Sequence, residues 1–309
     1  MRPLELSAPA KVNLYLEVVG RRPDGYHDLR MLVAPVSWFD RLVLEPLDEP
    51  GRVEFRVDEG DAVPPGEDNL CVRAARYYFR RTGVAAGVRI ALSKRIPAGA
   101  GLGGGSSDAA TTVIGLERLF GRRLDDEARR RCAFEVGADV PFFFARGPAW
   151  VEGIGERVHP LEEAPELWLV IVWPAEFLST ARVFSRLTKG LTSRGRPPRI
   201  AQFDFRGVGA VLRNDLQPAS VLEAPVVGRA LELLKSTGTS HVLVSGSGSA
   251  VFGLCRDRRQ AERVAEALRS EPGTRGWTVR AVHTLRPGAF PFRWPRRTST
   301  ETRWGVAKR

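Results

Sequence analysis

The sequence predicts a two-domain α/β protein. Three observations lead there. Segments of alternating apolar and polar residues trade places with segments of helical period along most of the chain. A loop-rich stretch near 155–165, "GIGERVHPLEEAPE", interrupts the pattern, and a second strand–helix set follows it. A run of glycines, "PAGAGLGGGSSDAA" at 97–110, stands directly before a helix. The 309 residues, 43% hydrophobic and 27% charged, fit one large or two ordinary domains of a soluble globular protein.

The elements follow in order. In "KVNLYLEVV", Val12, Leu14, Leu16 and Val18 alternate with Lys11, Asn13, Tyr15 and Glu17, the pattern of a half-buried strand. "RRPDGYHDLR" (21–30) is a turn built on Pro-Asp-Gly. Strands are expected at 31–37, 41–45 and 52–57. A helix is expected over 67–83, with Leu70, Ala74, Tyr77 and Tyr78 on one side and Gly83 at its stop. A strand at 88–97 delivers the chain to the glycines. Helices at 107–121 and 125–137 follow; the first turns Ala110, Val113, Leu116, Leu119 and Phe120 inward, and the second carries acids in its first turn. "VPFFFA" (140–145) reads as a buried strand or a short helix. The second set has strands at 167–173, 241–245, 250–254 and 277–283. Its helices fall near 180–188, 225–235 and 257–270, with a Pro/Arg/Gly loop at 190–198. No repeat of solenoid period is present.

Composition removes several classes of function. No apolar run approaches the ~20 residues of a membrane helix, and the N-terminus lacks a signal-peptide layout. A cytoplasmic protein is expected, with no membrane partner. Cys71, Cys132 and Cys255 are far apart, which suits reduced, buried thiols rather than disulfides or zinc. His27, His159, His241 and His283 form no metal-spaced pair, so no protein-held metal is expected. The net charge is +11, but residues 286–309 carry seven Lys/Arg and one Glu, leaving +5 for the rest. That basic, proline-bearing tail reads as a solvated extension without order. It lacks aromatics interleaved with its basic residues on a regular element, as a nucleic-acid binder would carry them, so no nucleic-acid partner is expected.

The glycine run admits three readings. A P-loop requires GxxxxGK[ST], and no lysine follows these glycines. Gly99, Gly101 and Gly104 satisfy GxGxxG, but Lys94, Arg95 and Pro97 separate them from the strand, and nearly a hundred residues precede them. The third reading is an anion nest: successive N–H groups turn toward one spot, and the following helix adds its dipole. Ser106, Ser107 and Asp108 supply capping side chains in that reading, and the serines reach toward phosphate or a metal ion.

The same stretch resembles the second motif of the GHMP kinases, named after galactokinase, homoserine kinase, mevalonate kinase and phosphomevalonate kinase. "APAKVNLYLEV" (8–18) is similar to their first motif and "VSGSGSAVFGL" (244–254) to their third. "GRRPDGYHDL" (20–29), "EDNL" (67–70), "GADVPFFF" (137–144), "GIGERV" (153–158), "STARVF" (179–184) and "NDLQP" (214–218) narrow the resemblance. They resemble the branch that phosphorylates the 2-hydroxyl of a cytidine diphosphate-linked methylerythritol, on the non-mevalonate route to isoprenoid precursors. The resemblance spans about residues 5–285, with the tail outside it. Ala250 departs from it, since the family more often carries threonine there.

The resemblance implies an N-terminal domain over 1–158 like domain 2 of ribosomal protein S5, and a ferredoxin-like C-terminal domain over 159–285. It implies a monomer or weak homodimer, with ATP as cofactor and Mg2+ arriving on the nucleotide. It makes Asp139 the catalytic base, set before an apolar "VPFF" that would make a carboxylate more basic. Spacing alone allows Asp139 equally to cap a short helix. Lys11 is placed beside Asp139, to orient it or to stabilise the transferring phosphoryl group. ATP contacts are implied for Asn69, for Pro97, Ala98, Gly99, Ala100, Gly101 and Leu102, and for Gly103, Gly104, Gly105, Ser106 and Ser107. Asn13, Tyr26, His27, Thr180 and Phe184 are implied on the substrate side, with Tyr26 and Phe184 stacking the cytosine and His27 reading its edge. The alternatives are a related kinase for homoserine or mevalonate, against which "DGYH" and "STARVF" weigh, and a non-catalytic relative, against which Lys11 and Asp139 weigh.

Overall fold

The computed structural model describes residues 2–60, 63–187, 198 and 202–289. Its first strand, β1 (Leu4–Arg21), is buried on both faces from Leu6 to Val18 rather than half-buried. It pairs antiparallel with β2 (His27–Leu47), so the expected turn is confined to 22–26 and the two strands expected at 31–37 and 41–45 are one. The apolar alternation also hides a change of face. A bulge between Asn13 and Tyr15 sends Val12 and Leu14 into one core and Leu16 and Val18 into another. Leu16 and Val18 thereby join Lys11 and Asn13 along a single cavity wall.

β3 (Val53–Glu59) follows, then α1 (Leu70–Thr82), which Asn69 caps and which Gly83 ends at φ 66°. β4 (Gly87–Ser93) leads toward α2 (Gly104–Phe120), which starts three residues before the expected 107. α3 (Asp126–Glu135) is capped by Asp125. "VPFFFA" resolves as a helix, α4 (Val140–Phe144). β5 (Ala149–Gly153) and β6 (Arg157–Pro160) occupy part of the stretch read as loop. The chain then leaves this layer and enters β7 (Trp168–Trp173).

α5 (Thr180–Ser185) is shorter than expected, and the Pro/Arg/Gly loop at 190–198 lies outside the described residues apart from Pro198. Beyond it come α6 (Phe205–Gly209), β8 (Arg213–Asn214) and α7 (Gln217–Glu223), three short elements without a periodic signal. α8 (Pro225–Ser236), β9 (His241–Val244), β10 (Val251–Cys255), α9 (Arg258–Ser270) and β11 (Thr278–His283) match expectation within two residues.

Two sheets result. The larger runs β3-β4-β2-β1-β8, with β5 on the free length of β2 and β6 beyond it. The smaller is antiparallel, β11-β7-β10-β9. Ala10, Val12 and Leu14 of β1 share one apolar cluster with Leu169, Ile171, Phe252 and Leu254, so the sheets bury their facing sides together. The three cysteines are buried and free. Among the described residues, no helix is long and apolar enough to cross a membrane.

The start of the basic tail is fastened. Gly288 N–H donates to Arg146 O at 2.7 Å, and the Arg146 guanidinium donates to Gly288 O at 3.0 Å. The remainder of the tail, 290–309, lies outside the described residues.

Candidate active site

A cavity of about 1200 Å³ opens where β1, α2, α4 and α5 meet. Lys11 reaches it from β1. Its Nζ donates to Asn13 Oδ1 at 2.5 Å and lies 3.6 Å from Asp139 Oδ2. Asp139 holds the position before α4, yet its side chain makes no capping bond there. The capping alternative is thereby removed. The carboxylate, 36% exposed, opens on the cavity instead.

The structure itself explains several positions of the glycine run. Gly99, Gly101 and Gly103 have φ of 63°, 75° and 67°, a region costly for any residue with a Cβ. A Cβ on Gly101 would lie 2.0 Å from Ser245 O, and one on Gly103 2.9 Å from the Lys11 side chain. At these positions the close neighbour is the protein's own chain. Gly105 has room for a Cβ, with its nearest neighbour, on Leu70, at 3.4 Å.

The helix that follows has an unusual start. Asp125, Asp204 and Asp257 each place a side chain on the first N–H groups of α3, α6 and α9. α2 begins after Gly103, and no side chain caps it. Its opening N–H groups have no partner within the helix, and Gly103, Gly104, Gly105 and Ser106 all line the cavity. A 17-residue helix therefore points a positive, unsatisfied end into that space.

Three of the expected ATP contacts, Asn69, Leu102 and Ser107, are absent from the cavity wall. Ser107 is fully buried, turned away from the cavity, because α2 starts at 104 and puts it on the inner side. Asp108, expected among the capping side chains, is buried with Lys94 instead. Leu102 is buried as well, and its carbonyl accepts from Lys11 N–H at 2.9 Å. Asn69 spends its side chain on structure: Oδ1 accepts from Cys71 N–H to cap α1, and Nδ2 donates to Pro64 O. The other expected loop residues, Pro97 to Gly101 and Gly103 to Ser106, do line the cavity.

All five expected substrate-side residues line it too, and two of their rings are in contact. The Phe184 ring lies against His27, centroids 4.9 Å apart and planes 24° apart, so one face of Phe184 is already covered. Tyr26 is 59% exposed and lines the same cavity. Burial and the neighbouring Arg21 charge hold the His27 ring below the ordinary imidazole range, leaving it neutral near pH 7. A neutral ring offers one donor and one acceptor.

The third glycine motif serves mainly as a brace. Ser245 Oγ donates to Gly101 O at 3.0 Å, Ala250 N–H donates to Ala100 O at 3.0 Å, and Asn214 Nδ2 donates to Val244 O and Gly246 O. The change to Ala250 leaves its backbone bond intact, since that bond needs no side chain. Ser247 extends this loop to the cavity, 3.0 Å from the Thr180 hydroxyl. Sequence reading missed Ser247 and Arg21, which also line the site. Ser247 was visible only as part of "VSGSGSA", and Arg21 looked like one of two turn arginines.

The comparisons agree with this geometry. The GHMP kinases N terminal domain matches residues 69–147, and the GHMP kinases C terminal domain matches 198–274. The 4-diphosphocytidyl-2-C-methyl-D-erythritol kinase of Geobacter sp. strain M21 is 44% identical, covering 92% of this chain and 100% of its own. The enzyme of that name from Anaeromyxobacter sp. strain Fw109-5 is 42% identical over 96% of this chain and 97% of its own. A crystal structure of 4-(cytidine 5'-diphospho)-2C-methyl-D-erythritol kinase superposes with a TM-score of 0.74 at 36% identity, covering 91% of this chain and 99% of that one. Homoserine kinase from Cytophaga hutchinsonii, at 18% identity and a TM-score of 0.70, shares the fold. The chain belongs to the GHMP kinase family, among its 4-diphosphocytidyl-2-C-methyl-D-erythritol kinases.

Proposed function

We propose that the protein transfers the γ-phosphoryl group of ATP to the 2-hydroxyl of 4-diphosphocytidyl-2-C-methyl-D-erythritol, a step of the non-mevalonate route to isoprenoid precursors. One observation carries the reading: a single cavity holds both the uncapped end of α2 and the Lys11–Asp139 pair. The first suits the phosphates of a nucleotide and the second suits a hydroxyl acceptor.

The roles follow from the geometry. The N–H groups at 104–106 and the glycine loop seat the phosphates. Asp139 takes the proton of the acceptor hydroxyl. The hydroxyl oxygen bonds to the γ-phosphorus as the bond from phosphorus to the β–γ bridging oxygen breaks, and ADP leaves. Lys11, steadied by Asn13, offsets charge on the transferring group. Thr180, Tyr26, His27 and Phe184 receive the cytidine end, and neutral His27 offers an acceptor to the cytosine amino group.

Among the described residues, no group of three or more His, Cys, Asp or Glu could hold a metal ion. Asp139 is the one carboxylate among the described lining residues. This donor set fits a magnesium ion carried by the nucleotide's phosphates, with the Ser106 hydroxyl as a protein contact. When bound, the ion supplies neutralisation of phosphate charge.

The test is ADP release with 4-diphosphocytidyl-2-C-methyl-D-erythritol, homoserine and mevalonate offered in parallel. Turnover is expected with the first. Turnover with either other alcohol in its place replaces the substrate assignment, and ADP release with none removes the kinase reading.

A further inference from the structure

Among the described residues, the cavity wall carries two fixed cations, Lys11 and Arg21. They are not equivalent. Lys11 is already engaged with Asn13 and Asp139. Arg21, at the end of β1, has no ion pair among the described residues, although it is exposed and lines the cavity. Its neighbour Arg22 faces three carboxylates, those of Asp24, Asp28 and Glu156. Two adjacent arginines in one turn have therefore been treated differently: one is tied into the fold, and the other is left with its charge toward the cavity.

Position gives the charge a use. Arg21 is the cross-strand partner of His27 in the β1–β2 ladder. His27 in turn stacks on Phe184. The guanidinium thus stands beside the aromatic pair and away from the Lys11–Asp139 pair, ten positions back along β1. A substrate made of a cytidine, a diphosphate and a small alcohol places its negative charge next to the nucleoside. Guanidinium is the side chain whose planar fork matches phosphate oxygens in pairs.

We infer that Arg21 is a substrate-binding residue that holds the diphosphate of the cytidyl substrate. The inference rests on the function proposed above and assigns its phosphate recognition to a residue to which the family resemblance gives no role. It divides the substrate among three parts of the wall: the base to the His27–Phe184 pair, the diphosphate to Arg21, and the acceptor hydroxyl to Lys11 and Asp139.

The test uses the full chain and three probes: cytidine, CMP and CDP. Their dissociation constants are measured by calorimetry for wild type, Arg21→Gln and Arg21→Lys, beside KM and kcat for the cytidyl substrate. Loss of a charge-assisted contact weakens binding by about tenfold or more. Arg21→Gln is expected to weaken CDP by about that factor, to weaken CMP less, and to leave cytidine as in wild type. The kinetic loss falls on KM, and Arg21→Lys recovers part of it. Equal weakening of cytidine and CDP would mean that Arg21 acts on the base through His27, which overturns the assignment. Unchanged CDP affinity overturns it as well. A wild-type protein that binds neither cytidine nor CDP overturns the cytidyl reading, and Arg21 with it.

Discussion

Lys11 and Lys94 are both 4% exposed, both sit near an aspartate, and both lie against the glycine loop. They do different work. Lys94 Nζ bonds Asp40 and, at 2.9 Å, Asp108, and both carboxylates are as buried as the lysine. Burial disfavours its charge, but the two aspartates outweigh burial and hold the ammonium above the usual lysine range. Burial and the nearby Asp40 raise Asp108 in turn. Asp40 also accepts the N–H groups of Arg95 and Ile96, so this cluster clamps the chain just before the glycines to the helix just after them. Lys11 has one carboxylate partner, a longer contact, and a partner that opens on the cavity. Burial is the same in both cases; the exposure of the partner decides whether the pair holds the fold or meets a ligand.

The comparison predicts opposite outcomes for the two pairs. Asp139→Asn should lower kcat by at least ~10²-fold, the low end for a positioned base, while the folded protein still binds ATP. A variant keeping most of its kcat would remove Asp139 as base. Lys94→Met should instead strike stability, because it strands two buried carboxylates. Breaking a buried pair costs about 3–5 kcal/mol, read as a lowered midpoint in urea. An unchanged midpoint would show that the cluster is not a clamp.

The glycines sharpen the same contrast. Gly103→Val and Gly104→Val would press on the Lys11 and Lys94 side chains, so each should damage fold and nucleotide use together. Cleaner probes lie on either side. Gly101→Ala forces a Cβ onto Ser245 O at positive φ and should cost about 1–3 kcal/mol of stability. Gly105→Ala has room and sits in a helix, so the melting temperature should hold or rise slightly. If the N–H groups there seat phosphate, its KM for ATP should still increase severalfold. An unaltered KM argues against the nest. The smallest effect is expected from ending the chain after Ala289, which keeps the Arg146–Gly288 contacts and should leave kcat/KM unchanged. A large loss of activity in that truncation would tie the basic tail to the body or to a partner.

Much of the fold was legible because long amphipathic segments announce themselves. α1, α8, α9 and the strands of the smaller sheet fall close to expectation. The misses have local causes. α6, α7 and β8 are too short for a period to register. The β1 bulge is silent in sequence, because polar Asn13 and apolar Leu14 continue the alternation straight through it. In the site, Lys11, Asp139 and most of the glycine loop were legible through motif resemblance. Asn69 also caps α1, a role that asparagine before a helical run signals in its own right. Ser107 and Asp108 were misplaced because a glycine start hides the beginning of a helix, so the first polar residues after it look like caps. Arg21 carried no signal, since only the fold separates it from paired Arg22.

The uncapped start of α2 also links stability to supply. Among the described residues, no side chain caps this helix end in the free protein. A nucleotide that completes it binds the folded chain and not the unfolded one, so occupancy adds directly to the unfolding free energy, about 2.7 kcal/mol at a hundred times the dissociation constant. The melting temperature then becomes a gauge of ATP concentration. In a cell short of ATP, the same chain would spend more of its time open to proteases, and its abundance would follow the energy supply without any dedicated regulatory site.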